Sequence, residues 1–452
     1  MEDKMSELDL KNADRRKFIK TAGAAGGVIT LSAALPGALW AEGAPPQVPI
    51  GQVVGFTGSA AEYGTFYQGA AQLALDQVNA AAKEVFGGPI VERLISEDSN
   101  TLPTPAIEAA RKLVEADGVP AIIAAWSSGV TVAVATSVSI PSGVLQVGNG
   151  TTSPLVSVLP EDKDADLLFR TSPSDALQGV VAADLARGNI IPDYKFETAA
   201  SVYINNPYGQ GLSNAFAAAF EKRGGKMLAE VAHPEEVQPT YRAQITTALK
   251  DKPDVLLLPT YPAHTAQILK ESRDIFSYTS WQFTDANRSK EVLDAVGGKD
   301  LAGKLGTVPS ADPESPSYKS FAEAFRESSG QDRIPPFTET TYDAAMVIGL
   351  ALAKLVADGT TDASKITGRA LSDQLRPIAN SPGEKIVGGS QDEITKALQM
   401  LRDGKDINYV GAGGSVDFDD NGDVKTPVAI WKFTEDGDET VKIVPADEIA
   451  SE

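Results

Sequence analysis

Six short stretches of small, polar and aromatic residues hold most of the chemistry available to this chain. They are Gly58-Ser59-Ala60-Ala61-Glu62-Tyr63-Gly64, Trp126-Ser127-Ser128, Gly150-Thr151-Thr152-Ser153-Pro154, Asn206-Pro207-Tyr208-Gly209, Thr260-Tyr261-Pro262 and Thr284-Asp285. Ser127 and Ser128 follow the apolar run Ile122-Ile123 and open a helical stretch. Their hydroxyls, with the free N–H groups of a helix start, suit a carboxylate. Thr152 sits similarly in the next loop. An isolated Ser-Ser or Thr-Thr would read as a helix cap; the pairing points to a ligand. Tyr63, Tyr208 and Tyr261 offer apolar walls with a hydroxyl each, the usual make-up of a small-molecule pocket. Trp126 stands at a strand end, where its ring could enter the sheet rather than a cleft, and stays outside the candidate set. Asp285, taken by itself, suits a surface cap for the helix after it.

Catalysis finds less support. A hydrolase using Ser127 or Ser128 would need a base, and neither His nor Lys is evidently placed as one. Gly-x-Ser-x-Gly and the P-loop are missing from the sequence, and with 2 histidines, His233 and His264, a familiar metal site is not expected. The chain has 0 cysteines, which removes thiolate nucleophiles, thiol zinc sites, Fe–S clusters and disulfides. Asp417 to Gly422 opens like a calcium loop, but its twelfth position is Val428 where a bidentate Glu is required, so a hairpin turn at Asn421-Gly422 is the better reading. With 61 acidic against 40 basic residues, a net charge of -21 repels nucleic acid. The expectation is a binding protein without enzyme activity or cofactor.

The elements that must position these loops alternate short β-branched runs with amphipathic helices, the pattern of parallel α/β units. Strands are expected at 49–56, 90–97, 119–125 and 144–147, then at 198–204, 254–258 and 281–283. Helices are expected at 65–82, from a Thr104 cap to 116, and at 175–187, 209–223, 241–250 and 263–275. A polar connection around 160–166 separates the two series. After Thr307 the chain turns helix-rich, at 317–328 and 342–356, and ends in strands at 428–433 and 441–444. At 452 residues two lobes are expected, each doubly wound.

Asp14-Arg15-Arg16-Lys17-Phe18-Ile19-Lys20, followed by a mildly apolar Gly/Ala-rich stretch to Leu39, resembles a twin-arginine signal. The stretch is too interrupted by glycine for a membrane anchor. Residues 1–43 are therefore expected to be a cleaved signal, cut near Ala41, with export by the Tat translocase. Lacking a cysteine for lipid attachment, the mature protein is expected to be free in a periplasm.

The six loops, in order and spacing across nearly the whole mature chain, resemble the branched-chain amino-acid-binding family of the type I periplasmic binding fold. The resemblance implies three hinge crossovers, with one lobe at 44–172 and 308–420 and the other at 173–307 and 421–452. It implies a substrate-binding component of an ABC importer that delivers an amino acid or related carboxylate or amide to permease subunits and their ATPase. It also implies that Ser128 and Thr152 hold a ligand carboxylate, that a carbonyl near Gly150 or Thr151 takes an ammonium, and that Asp285 pairs with that ammonium. Asp there is one methylene shorter than the family's Glu. Where the family often has a disulfide, this chain has Ser99-Asn100 and Ser127. A sensory module feeding a receptor shares the fold and stays an alternative.

Overall fold

The computed structural model describes residues 44–449. The segment read as a twin-arginine signal lies outside them. Strands β1 (Val48–Val54), β2 (Val91–Asp98), β3 (Ala121–Ile123), β4 (Leu145–Gly148) and β5 (Leu168–Arg170) form one parallel sheet in the order β2-β1-β3-β4-β5. Its central strands are buried, apolar runs because helices cover both faces. Edge strand β2 carries Glu92, Arg93, Glu97 and Asp98 instead. β5 was not expected from sequence: it is three residues long and ends on Arg170, whose charge masks the apolar pattern although its side chain is fully buried.

A second parallel sheet, β6 (Thr198–Ile204), β7 (Lys226–His233), β8 (Val255–Leu257) and β9 (Trp281–Gln282), has the order β7-β6-β8-β9. The two sheets share one winding. In each, the first strand pairs with the second on one side and the third on the other, so successive connections diverge and leave a crevice at the carboxyl ends. β10 (Leu305–Pro309) adjoins the second sheet through the bridge Phe283↔Gly306. β11 (Glu384–Val387), β12 (Ile407–Gly411) and β13 (Gly414–Ser415) make a small separate sheet. β14 (Val428–Phe433) and β15 (Asp438–Val444) return antiparallel beside β10.

The first lobe's core joins β1, β3 and β4 to helices Gly64–Phe86 and Thr338–Ala357. These two helices approach closely because Gly349 faces Val78; a Cβ on Gly349 would meet Val78 Cγ2 at 2.7 Å. Thr338–Ala357 is long and apolar enough to cross a membrane, but 83% of its apolar window is buried, the setting of a core helix. The second lobe's cores gather β6, β8 and β14 with helices Asp175–Ala186 and Pro207–Lys222. Phe169 of β5 and Val424 pack in the first of these cores, Val308 of β10 and Ala429 of β14 in the second.

Three local readings are corrected. Helix Pro103–Arg111 is capped at Leu102, not Thr104, because Pro103 already occupies its first position. Asn421-Gly422 forms a turn, with Gly422 at φ 72°, but no strands flank it as a hairpin. Its Gly422 carbonyl accepts instead from Arg170 N at 3.0 Å. The sequence reading also missed β7, an edge strand whose pattern is diluted by Lys226 and Glu230.

Candidate ligand-binding site

All six loops lie at the carboxyl ends of strands, those after β1, β3 and β4 facing those after β6, β8 and β9. Ser127 caps helix Ser128–Val134, its Oγ accepting from Val130 N at 3.4 Å. The same Oγ accepts from the Tyr261 hydroxyl of the other lobe at 2.9 Å. Ser128 acts differently. Its Oγ accepts from Thr152 N and Ser153 N, both at 3.2 Å, lacing the two first-lobe loops together. The Ser128 hydroxyl hydrogen is left for another acceptor.

The hydroxyls of Thr151 and Thr152 are buried without a hydrogen-bond partner among the described residues. A buried polar group left unpaired costs about 1–3 kcal/mol, a cost that a bound molecule with a matching donor or acceptor would remove. The Thr151 carbonyl, by contrast, already accepts from Ser172 Oγ at 2.8 Å and Arg170 at 3.4 Å. Of the two carbonyls expected to meet an ammonium, that leaves Gly150. Arg170 holds this loop from behind, reaching Ser153 O at 2.9 Å and pairing with Asp423 at 2.7 Å.

Aromatic rings bridge the lobes. Tyr67, Tyr63, Trp126, Tyr261 and Tyr208 follow one another with centroid separations of 5.9, 5.4, 4.8 and 5.5 Å. Trp126 is thus in the cleft, not in the sheet. The close pass of Gly150, where a Cβ would lie 2.3 Å from Trp126 Cδ1, gives its ring the room. Tyr63 donates to Ala286 O at 3.3 Å, and Tyr208 to Asp285 Oδ1 at 2.8 Å.

Asp285 is 2% exposed and follows the cap residue Thr284 of a short 3₁₀ turn, so it is not a surface cap. Its Oδ1 also accepts from Gln178 Nε2 at 3.0 Å. Burial pushes its pKa up to about 6, against the lowering pull of the Tyr208 and Gln178 hydrogen bonds. The other buried acid here is Asp175, at the start of helix Asp175–Ala186.

A family model described as periplasmic binding protein matches residues 47–437. The chain belongs to the periplasmic binding protein family. Leu/Ile/Val-binding protein BraC3 of Rhizobium johnstonii is 26% identical to it over 381 residues, 82% of this chain and 96% of that protein. The solved leucine binding protein LivK of Thermotoga maritima matches with a TM-score of 0.69 at 22% identity, over 89% of this chain and 99% of that one. A solute binding protein of an ABC transporter from R. palustris, in complex with benzoate, gives a TM-score of 0.67 at 15% identity, over 90% and 99%. The structural likenesses give the type I periplasmic binding fold, and the family is one of solute-binding proteins rather than enzymes.

In this binding protein the lobes also meet outside the pocket. Glu62, beside Tyr63, accepts from Lys290 N at 2.9 Å and Glu291 N at 3.1 Å across the cleft, and from the Ser289 hydroxyl. Arg333 pairs with it from its own lobe. Burial would raise the Glu62 carboxyl, but the Ser289 hydroxyl and Arg333 hold it below its ordinary value. Sequence reasoning missed Trp126, Glu62, Asp175 and Gln178 as cleft residues. Of these, Glu62 stood inside a loop already singled out, and Ser174-Asp175 carried the ordinary signature of a helix start.

Proposed function

We propose that this protein is the extracytoplasmic substrate-binding component of an ABC importer, taking an amino acid or a related small carboxylate or amide between its lobes. The observation that carries this is the facing of unpaired hydroxyls against an acid across a closed, aromatic-walled cleft. Ser128, Thr151 and Thr152 on one lobe suit a carboxylate, Gly150 offers a carbonyl, and Asp285 on the other suits an ammonium. Tyr63, Tyr208 and Tyr261 wall the site, and Ser127 joins the lobes through Tyr261. A ligand that touches both faces favours the closed form by its differential affinity for it. The permease subunits, served by a separate ATPase, would read that form.

The lobes in this reading run over about 44–172 with 310–424 and 173–309 with 428–449. These boundaries differ by a few residues from the sequence-based ones because Val308 packs in the second core and Val424 in the first. Export by the Tat translocase, maturation near Ala41 and a free periplasmic location belong to the same proposal, supported by the arginine pair at Arg15-Arg16. Mass spectrometry of the exported protein finding residues 1–35 still attached would refute that part.

A thermal-shift screen of the mature protein against amino acids, amides, urea and simple carboxylates tests the function. A shift with at least one of these, and recovery of the ligand unchanged after denaturation, is the expected result. Turnover of the ligand, or no shift across the whole panel, overturns it.

A further inference from the structure

Apart from the candidate ligand site, the lobes enclose a second cavity of about 150 Å³. Its first-lobe wall carries Tyr318, Arg333 and Glu339, its second-lobe wall carries Arg288 and Asp438, and the segment 309–311 joins the two. Both cations are already matched. Arg288 Nε donates to Asp438 Oδ1 at 2.6 Å, and Arg333 pairs with Glu62. Glu339 is the charge left over. It stands in the first turn of helix Thr338–Ala357 and is 7% exposed. Its carboxyl has no ion pair and no side-chain hydrogen bond among the described residues.

The groups around Glu339 fall into two sets. Asp343, one turn along its own helix, is held by the Tyr409 hydroxyl and by Ala412 N and Gly413 N, and the Tyr67 hydroxyl donates to Pro336 O at 2.9 Å. These groups, with Arg333 and Tyr318, belong to the first lobe and travel with Glu339. Burial keeps the Tyr67 and Tyr318 hydroxyls protonated at neutral pH. Arg288 and Asp438 belong to the other lobe. Arg288 directly precedes Ser289, Lys290 and Glu291, which Glu62 holds across the cleft. When those bonds part, the far wall of the cavity moves off and water reaches Glu339. Two effects then compete: losing the positive charge of Arg288 eases protonation, and hydration opposes it. Burial is the largest influence on this carboxyl and raises it to about 7; the N–H of Glu339 itself, Asp343 and Arg288 follow. Hydration therefore wins, and the open form holds the proton less tightly.

We propose that lobe closure in this protein is proton-linked through Glu339, the closed form taking up a proton at that carboxyl so that mild acid favours closure. The inference goes beyond the ligand reading: it concerns the unliganded molecule, and a failed ligand screen would leave it standing. Glu62, held below its ordinary value, stays ionised between about pH 8 and about pH 6, so the bonds it makes across the cleft do not themselves titrate there. Asp175 and Asp285 are raised by burial in the ligand cleft and act with the same sign, so substitution at Glu339 is what separates them.

Hydrogen exchange on the unliganded mature protein reads the opening directly, because the Lys290 and Glu291 amides donate to Glu62 across the cleft. Corrected for intrinsic exchange rates, their protection in the wild type should rise by roughly 10-fold or more from about pH 8 to about pH 6. Glu339→Gln fixes the uncharged form. It should already be better protected than the wild type at about pH 8, and it should lose roughly 10-fold of the gain on acidification. Glu339→Met, also uncharged and of similar length, repeats the measurement should the glutamine variant unfold. Wild-type protection that does not rise, amides that exchange freely at both pH values, or a gain as large in the variants as in the wild type overturns the proposal. Weaker protection in the variants at both pH values, the mark of a merely structural role, overturns it as well.

Discussion

The Tyr261 hydroxyl of one lobe donates to Ser127 Oγ of the other at 2.9 Å, while accepting from Asn206 Nδ2 at 3.1 Å. This bond exists when the cleft is shut and involves no ligand atom. Tyr261→Phe and Ser127→Ala should therefore weaken every ligand by the same factor, leaving the ranking of ligands unchanged. In a double-mutant cycle the coupling should be about 0.5–1.5 kcal/mol. A change in ligand ranking would instead place Tyr261 in direct contact with the ligand.

Glu62 should behave in the same way and more strongly, because its carboxylate accepts from Ser289, Lys290 and Glu291 of the opposite lobe at once. Glu62→Gln removes the charge but keeps the shape. Solution scattering should find the unliganded variant more extended than the wild type, and stopped-flow measurements should find faster ligand release. Unaltered scattering together with unaltered release would show that the contact does not favour closure.

Ser128 and Thr152 should separate cleanly. Ser128→Ala strips the acceptor from two N–H groups, so it should cost stability of about 1–3 kcal/mol as well as affinity. Thr152→Val keeps the volume and removes a hydroxyl with no hydrogen-bond partner among the described residues. It should leave the melting temperature unchanged or raised while weakening a carboxylate ligand by about 1.5–3 kcal/mol. Denaturant unfolding and calorimetry on both variants check this.

Stability of the unliganded protein should rise as pH falls from about 7.5 to about 5.5. Burial raises Asp162, Asp285 and Asp343 to about 6 and Glu339 to about 7. Each folded carboxyl holds its proton more tightly than the unfolded chain does. That contribution is complete below the unfolded value near 4 and lost as pH rises through 6 to 7. His233 and His264 act oppositely: burial lowers them to about 4 and about 3, so the unfolded chain gains protons first below about 6.5. Four acids outnumber two histidines. Thermal melts showing a falling midpoint across this range would contradict the balance.

Much of this site was legible because its loops are made of residues with few other uses: Ser-Ser, Thr-Thr and Tyr at the ends of apolar runs, in two series of alternating elements. Asp285 was legible as an acid after a strand. What was hidden shares one cause, that a charge was doing two jobs. Arg170 ends a strand yet pins the Thr151 loop, Asp175 begins a helix yet lies buried at the lobe seam, and Glu62 sits in a first-lobe loop yet bonds to the second. Sequence position reports the local job, and only the fold reports the distant one. Trp126 escaped for a related reason, since the room for its ring comes from Gly150, twenty-odd positions away.

That ring has a further consequence. Trp281 and Trp431 are sealed in the second lobe's core, and the proposed maturation near Ala41 would remove Trp40. Trp126 alone, among the described tryptophans, is flanked by tyrosines from both lobes, Tyr63 at 5.4 Å and Tyr261 at 4.8 Å. Opening the cleft would part its indole from Tyr261 and wet one face of it. The molecule thereby carries an intrinsic optical gauge of its own closure, readable by emission wavelength without any attached dye.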